Sequence, residues 1–185
     1  MGAGDDATVT ADRQADSQAD RQLRRILIIA YGGDSDVDVR VAAALIAALR
    51  QRSIADSWWL TLIEDAQLRL EHAIDLRPND LAIFIDASLH GKAPFEFTEI
   101  VNGAANSILP EAEAVLPTDL LRTLATIGRL GTLPPSFRLT LPLALEQSGD
   151  DLTPKTQASI VAAVDFLENL LGDTSNEHWR AEINS

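Results

Sequence analysis

The residues of this chain best suited to chemistry are mostly acidic, and they lie at or just after the ends of two strongly hydrophobic segments. They are four aspartates and one histidine: Asp34, Asp36, Asp38, Asp86 and His90. Imidazole nitrogens and carboxylate oxygens are common ligands of divalent metal ions. The sequence therefore indicates a candidate metal site that draws its ligands from two separate parts of the chain.

Each group of candidates comes directly after a run of apolar residues, Arg25–Tyr31 for the first and Leu81–Asp86 for the second. A continuous apolar run of this length is typical of a strand that is buried on both faces of a parallel sheet. Ligands of open α/β sheets bind in the crevice outside the carboxyl ends of the strands. We therefore expect the acids and His90 to surround one crevice.

The candidates also have structural interpretations. The three aspartates of the first group could be favourable charges at the N-terminus of the following helix. This structural interpretation competes equally with metal ligation. Asp86 could cap a loop, although a carboxylate that ends a buried strand at the carboxyl edge of a sheet favours a functional role. His90 could be a solvated loop residue, and His72 is expected at the surface.

Apolar strand patterns alternate with helical patterns along the chain, which predicts a three-layer α/β/α domain with a mostly parallel, five-stranded sheet. The predicted strands are Arg25–Tyr31, Ser57–Ile63, Leu81–Asp86, Glu96–Val101 and Phe137–Leu145. The predicted helices are Val37–Leu49, Ala66–Ile74, Pro117–Gly131 and Thr153–Leu171.

Bulk composition excludes several classes of protein. The chain has 185 residues, 46% of them hydrophobic, which is enough for one domain with a substantial core. Its net charge of −13 disfavours nucleic acid as a partner, and it has no cysteine for disulfides or thiolate metal sites. We find no membrane span and no secretory signal pattern, so we expect a cytoplasmic protein without a membrane partner.

The chain is expected to divide into three parts. Residues 1–22 carry almost no large apolar side chains and are predicted to be a disordered N-terminal extension. Residues 23–172 contain all the predicted strands and helices and form the folded domain. Residues 173–185 are polar apart from Trp179 and are expected to be a loose tail.

The order and spacing of these segments resemble the hydrogenase maturation protease family over about residues 24 to 172. Ile26–Gly33 matches the family's first strand and glycine turn, and Asp34–Arg40 matches the acidic segment that follows. Asp86-Ala87 matches the Asp-Ala pair at the end of the third strand. The remaining matches are Ala93-Pro94, Phe137–Leu141, Leu152–Pro154 and the helix that follows.

The resemblance implies a phosphorylase/hydrolase-like fold in which strands one and three lie side by side, with Asp34 or Asp36 close to Asp86. In this family, three side chains hold the nickel that marks a mature substrate. Asp86 matches one of them; the other two positions fall on Ser35, or Asp36 after a one-residue shift, and on Thr118. His90 could replace the missing histidine.

The implied metal ligands are therefore Asp36, Asp86 and His90. Hydroxyl groups at Ser35 and Thr118 are poor substitutes for an acid and an imidazole, so weak or absent nickel binding is expected.

Family members are endopeptidases that trim the C-terminal extension of a [NiFe]-hydrogenase large subunit after nickel insertion. The resemblance therefore implies a protein that acts on such a precursor, as an endopeptidase if the metal site is intact. The alternative is a catalytically inactive relative that binds the same kind of subunit as an assembly factor.

Overall fold

The computed structural model describes residues 24–32, 36–69, 71–76, 78–100, 134–143 and 151–184. The strands in this part of the chain are β1 (Ile26–Tyr31), β2 (Leu60–Asp65), β3 (Leu81–Ser88), β4 (Glu96–Ile100) and β5 (Ser136–Pro142). The α-helices are α1 (Asp36–Leu49), α2 (His72–Leu76), α3 (Pro154–Leu171) and α4 (Asn176–Ala181). Short 3₁₀ helices occupy Ser53–Asp56 and Glu182–Asn184.

The described strands form one five-stranded sheet in the order β2-β1-β3-β5-β4. Neighbouring strands are parallel from β2 to β5, whereas β4 runs antiparallel to β5 at one edge. The predicted mostly parallel, five-stranded sheet is therefore confirmed. Strands β1 and β3 lie side by side, as the family resemblance implied, so their carboxyl ends meet at the same edge of the sheet.

One face of the sheet packs against α1 and α3. Its core contains strand residues such as Ile28 and Ile83, packed with Leu45 of α1 and Leu167 of α3, and all four are fully buried. Helix α1 presents its buried residues at three- and four-residue spacing, and alanines with high helix propensity fill much of the rest. The helices predicted after the first strand and near residue 154 are thus confirmed.

The opposite face carries a smaller apolar cluster. Leu27 and Ile29 of β1 and Phe84 of β3 are fully buried there, together with Leu76 of α2. Side chains of successive strand residues alternate between the two faces, which explains why β1 and β3 are apolar throughout. Helices therefore cover both faces, which confirms the three-layer α/β/α architecture.

Helix α3 begins and ends where local signals predict. The hydroxyl of Thr153 accepts a hydrogen bond from the backbone N–H of Thr156 at 3.2 Å, and Pro154 occupies the first turn. Both features are typical of a helix N-terminus, because they satisfy or remove free backbone donors. The helix ends at Leu171, just before Gly172.

The C-terminal segment differs from the expected loose tail. Trp179 of α4 is fully buried, and its ring packs edge-on against Phe137 with centroids 5.2 Å apart. Its indole N–H donates to the carbonyls of Leu170 at 3.1 Å and Asp173 at 3.0 Å. One large aromatic side chain thus buries enough area to anchor a short helix in an otherwise polar segment. The domain boundaries at residues 22 and 172 stay predictions.

Several predicted elements have different limits. The third strand continues past Asp86 to Ser88, and the fifth begins at Ser136 and ends at Pro142 instead of Leu145. The helix predicted from Ala66 to Ile74 is shorter and begins only at His72. The strand predicted from Ser57 begins at Leu60, because the chain first turns and the N–H of Leu60 donates to the carbonyl of Ser57 at 3.0 Å.

Some expectations lie outside the described residues: those for the N-terminal extension, Asp34, Ser35, Thr118 and the helix Pro117–Gly131. Within the described ranges, no helix has both the length and the apolar character needed to cross a membrane.

Candidate functional site

A row of polar side chains crosses the sheet near the carboxyl ends of its parallel strands. The register pairs Tyr31 with Asp65, Asp86 with Thr140, and Thr140 with Glu96 of β4. It also places Tyr31 beside Asp86, and the Tyr31 hydroxyl lies 3.4 Å from Asp86 Oδ2. Paired residues on neighbouring strands project from the same face of a sheet, so these five side chains form one line. We call them the polar row.

Asp86 lies at the centre of the polar row and is only 5% exposed. Arg138 donates from Nε to both carboxylate oxygens, at 3.2 and 3.1 Å, and from Nη2 to Oδ2 at 2.5 Å. The hydroxyl of Thr140 donates to Oδ1 at 2.9 Å, and the Tyr31 hydroxyl approaches Oδ2. Donors from β1 and β5 therefore reach this one carboxylate from both sides.

Strand register explains why Arg138 reaches Asp86. Arg138 pairs with Phe84 of β3, two residues before Asp86, so both charged side chains project from the same face of the sheet. The side chains of Arg138 and Asp86 are 8% and 6% exposed. Charged side chains are almost never buried this deeply unless they are paired. A charged residue in the apolar strand Ser136–Pro142 was therefore a sequence signal for a buried partner.

Asp65, at the β2 end of the polar row, has a different environment. Its carboxylate accepts hydrogen bonds from the Arg69 side chain and, at 3.5 Å, from the backbone N–H of Gln67. Partial burial by itself would raise the pKa of Asp65. The hydrogen bonds from Arg69, Gln67 and Ala66, together with the positive charge of Arg69, outweigh it and lower the pKa below the ordinary value of 3.8.

His72 is buried against Asp65, so its expected surface position is wrong. The side chain is 6% exposed, and its Nε2 lies 3.4 Å from Asp65 Oδ2. Its Nδ1 accepts a hydrogen bond from the backbone N–H of Arg69 at 3.0 Å. Because Nδ1 is an acceptor, the ring carries its proton on Nε2, facing the carboxylate. The imidazole thus connects the end of β2 to the start of α2.

The predicted ligands Asp36, Asp86 and His90 occupy three different environments. Asp36 is the exposed first residue of α1, where a negative charge is favourable at the helix N-terminus. His90 is exposed in the turn after β3, and its backbone N–H donates to the Ser88 hydroxyl at 3.2 Å. Among the described residues, no three Asp, Glu, His or Cys side chains form a group that could hold a metal ion. The metal assignment stays a prediction.

Close packing at two glycines determines the course of the loops beside the polar row. A Cβ atom at Gly32 would lie 2.4 Å from Val39 Cγ2 and 2.7 Å from the carbonyl oxygen of Ala66. A Cβ atom at Gly91 would lie 3.1 Å from the carbonyl oxygen of Leu141. Glycine therefore allows the chain to leave β1 directly beneath α1, and allows the turn after β3 to cross the end of β5.

Comparison with solved structures places this architecture among known folds. The chain is similar to the hydrogenase maturating endopeptidase HybD from E. coli, with a TM-score of 0.60 and 20% identity over 82% of this chain and 94% of HybD. It is also similar to an endopeptidase from Escherichia coli solved in solution, with a TM-score of 0.57 and 22% identity over 80% of this chain and 91% of that one.

A third similar structure is the [NiFe] hydrogenase maturation protease HycI from Thermococcus kodakarensis KOD1. Its TM-score is 0.55 at 15% identity, and the match covers 81% of this chain and 94% of HycI. No family model and no curated protein sequence matches the chain. At these identities the similarity establishes the fold: the chain has the α/β fold of hydrogenase maturation endopeptidases over most of its length.

Proposed function

We propose that this chain is a divergent, cytoplasmic relative of the hydrogenase maturation proteases that acts on the precursor of a [NiFe]-hydrogenase large subunit. The observation that carries the proposal is the fold match, which extends over 82% of this chain and 94% of HybD. Nearly the whole of the similar protein therefore has a counterpart here. The polar row also lies near the carboxyl edge of the sheet, where open α/β folds bind their ligands.

A second function, binding the precursor as an assembly factor without cleaving it, is favoured by the contacts of Asp86. A carboxylate that receives both Arg138 and Thr140 within 3.2 Å is poorly placed to serve as a free ligand for substrate nickel. The two functions share the partner and differ only in the fate of its C-terminal extension. One experiment can therefore separate them.

The experiment combines the full chain with a purified large-subunit precursor in nickel-loaded and nickel-free forms. Calorimetry measures binding, and intact-mass spectrometry measures whether the C-terminal extension is removed. A precursor that lacks the extension is the matched control for binding. The endopeptidase function predicts removal of the extension from the nickel-loaded precursor, at a rate that falls sharply in Asp86→Asn.

The assembly-factor function predicts binding of both forms of the precursor without a change in mass. Failure of both forms to bind, with no cleavage, would refute the proposal that the chain acts on this class of subunit. Cleavage that requires nickel would reject the second function and retain the first.

A further inference from the structure

We infer that the guanidinium of Arg138 takes the place of a divalent cation at Asp86, so that this carboxylate is not a nickel ligand in this chain. The significance of nickel here rests on the proposed function, whereas the ion pair is a property of the chain itself.

Protein donors contact both oxygens of the Asp86 carboxylate. An ionised carboxylate offers about four lone-pair positions on its two oxygens. Among the described residues, four donor groups approach Asp86: Nε and Nη2 of Arg138, the Thr140 hydroxyl and the Tyr31 hydroxyl. Three of these donors contact Oδ2, and Oδ1 is contacted by Thr140 and by the shared Nε of Arg138, so protein donors already surround both oxygens.

The positive charge of Arg138 also opposes a metal ion at Asp86. A metal ion bound through oxygen must lie within about 2.0–2.6 Å of a carboxylate oxygen. The Nη2 atom of Arg138 already lies 2.5 Å from Asp86 Oδ2, so a metal ion at Oδ2 would have to displace the guanidinium, and one at Oδ1 would have to displace the Thr140 hydroxyl, which lies 2.9 Å away. The displaced guanidinium would then be a buried cation without its acceptor, next to a second positive charge. Both consequences oppose nickel binding.

A second pair in the same molecule shows that burial distinguishes the Asp86 pair. Arg180 donates to Glu99 with the same fork, from Nε at 3.0 Å to both oxygens and from Nη2 at 2.7 Å. The side chains of that pair are 53% and 25% exposed, against 8% and 6% for Arg138 and Asp86. Water can replace either partner at the exposed pair, whereas little water can reach the pair at Asp86. The Arg180 pair is thus a matched control.

The test is a calorimetric titration of the full chain with nickel chloride. We compare wild type, Asp86→Asn and the control variant Glu99→Gln. If Arg138 occupies the cation position, Asp86→Asn leaves nickel affinity at the wild-type level, as Glu99→Gln does. A loss of about 10-fold or more in Asp86→Asn alone, in protein that keeps the wild-type circular dichroism spectrum, would identify Asp86 as a ligand and overturn the inference.

A second measurement detects nickel in the wild-type protein and uses a variant only for assignment. In ¹⁵N-labelled protein the Nε–H resonance of Arg138 is assigned by its loss in Arg138→Lys, and nickel, which is paramagnetic, is added to one equivalent. The resonance is expected to keep its intensity, with that of Arg180 as the reference. Selective broadening of the Arg138 resonance would place nickel beside Asp86 and overturn the inference. Neither titration contains a large subunit, so failure of the proposed function leaves both results unchanged.

Discussion

Removing one partner of the pair formed by Asp86 and Arg138 should destabilise the fold more than any exposed ion pair does. Both side chains are more than nine-tenths buried, at 6% and 8% exposure, so solvent screening is weak. Breaking a buried pair from one side costs about 3–5 kcal/mol, because it leaves an uncompensated buried charge. In Arg138→Met, the hydroxyls of Thr140 and Tyr31 remain as donors. We therefore expect Arg138→Met to lower the free energy of unfolding by about 3 kcal/mol, the lower end of this range.

The double variant Arg138→Met with Asp86→Leu separates pairing from packing. It removes both charges and keeps apolar volume at both positions, a replacement that is often neutral or stabilising. We therefore expect the double variant to be more stable than Arg138→Met alone, with an interaction energy of about 1–3 kcal/mol in the double-mutant cycle. The corresponding cycle at Arg180 and Glu99 should show little coupling, because that pair is exposed.

The assay is equilibrium unfolding in guanidinium chloride, followed by far-UV circular dichroism and by the fluorescence of the buried Trp179. The quantity compared is the free energy of unfolding in water. Exposed ion pairs contribute less than about 1 kcal/mol to stability. If Arg138→Met loses less than this amount of unfolding free energy, the buried pairing is refuted. A double variant no more stable than Arg138→Met would show that the uncompensated charge of Asp86 is not the source of the cost.

Three further results are expected. Gly32→Ala should cost about 1–3 kcal/mol in chemical unfolding, because its Cβ would lie 2.4 Å from Val39 Cγ2; an unchanged midpoint would contradict the close packing. Trp179→Ala should lose about 3–5 kcal/mol, whereas Trp58→Ala, at a site 74% exposed, should lose little; equal losses would show that α4 is not anchored by Trp179. The lowered pKa of Asp65 should stabilise the fold fully above about pH 3.8, and this contribution should fade as pH falls through the lowered pKa. The stability difference between wild type and Asp65→Asn should therefore be larger at pH 7 than at pH 3, and a constant difference would contradict the shift.

Local patterns were sufficient to predict most of the fold. The apolar runs at β1 and β3 predict strands that are buried on both faces, and the structure shows both strands fully or almost fully buried up to Asp86. Helix α1 has clear periodicity, and helix α3 has a capping residue, Thr153. The side-by-side placement of β1 and β3 came from the family resemblance. Periodicity alone does not determine the order of strands in a sheet.

The sequence alone did not predict which side chains contact one another at the site. Asp86 and Arg138 are 52 residues apart, and their contact depends on the register between β3 and β5. The burial of His72 likewise depends on the path of the loop after β2, where the backbone N–H of Arg69 donates to His72 Nδ1. Hydrophobic patterns predict which residues are buried, but hydrogen bonds between distant segments follow only from the assembled structure.

The contacts at the centre of the polar row bear on which of the two proposed functions the chain can perform. Asp86 lies near the carboxyl end of β3 and is buried, and it can bind a metal only if the metal replaces the donors that surround it. In this chain a neighbouring strand provides the positive charge from within the sheet, through Arg138. Fold similarity establishes the architecture, whereas the pairing of Asp86 with Arg138 bears on the choice between the two proposed functions. For this reason the nickel titration of Asp86→Asn is more informative than any further comparison of folds.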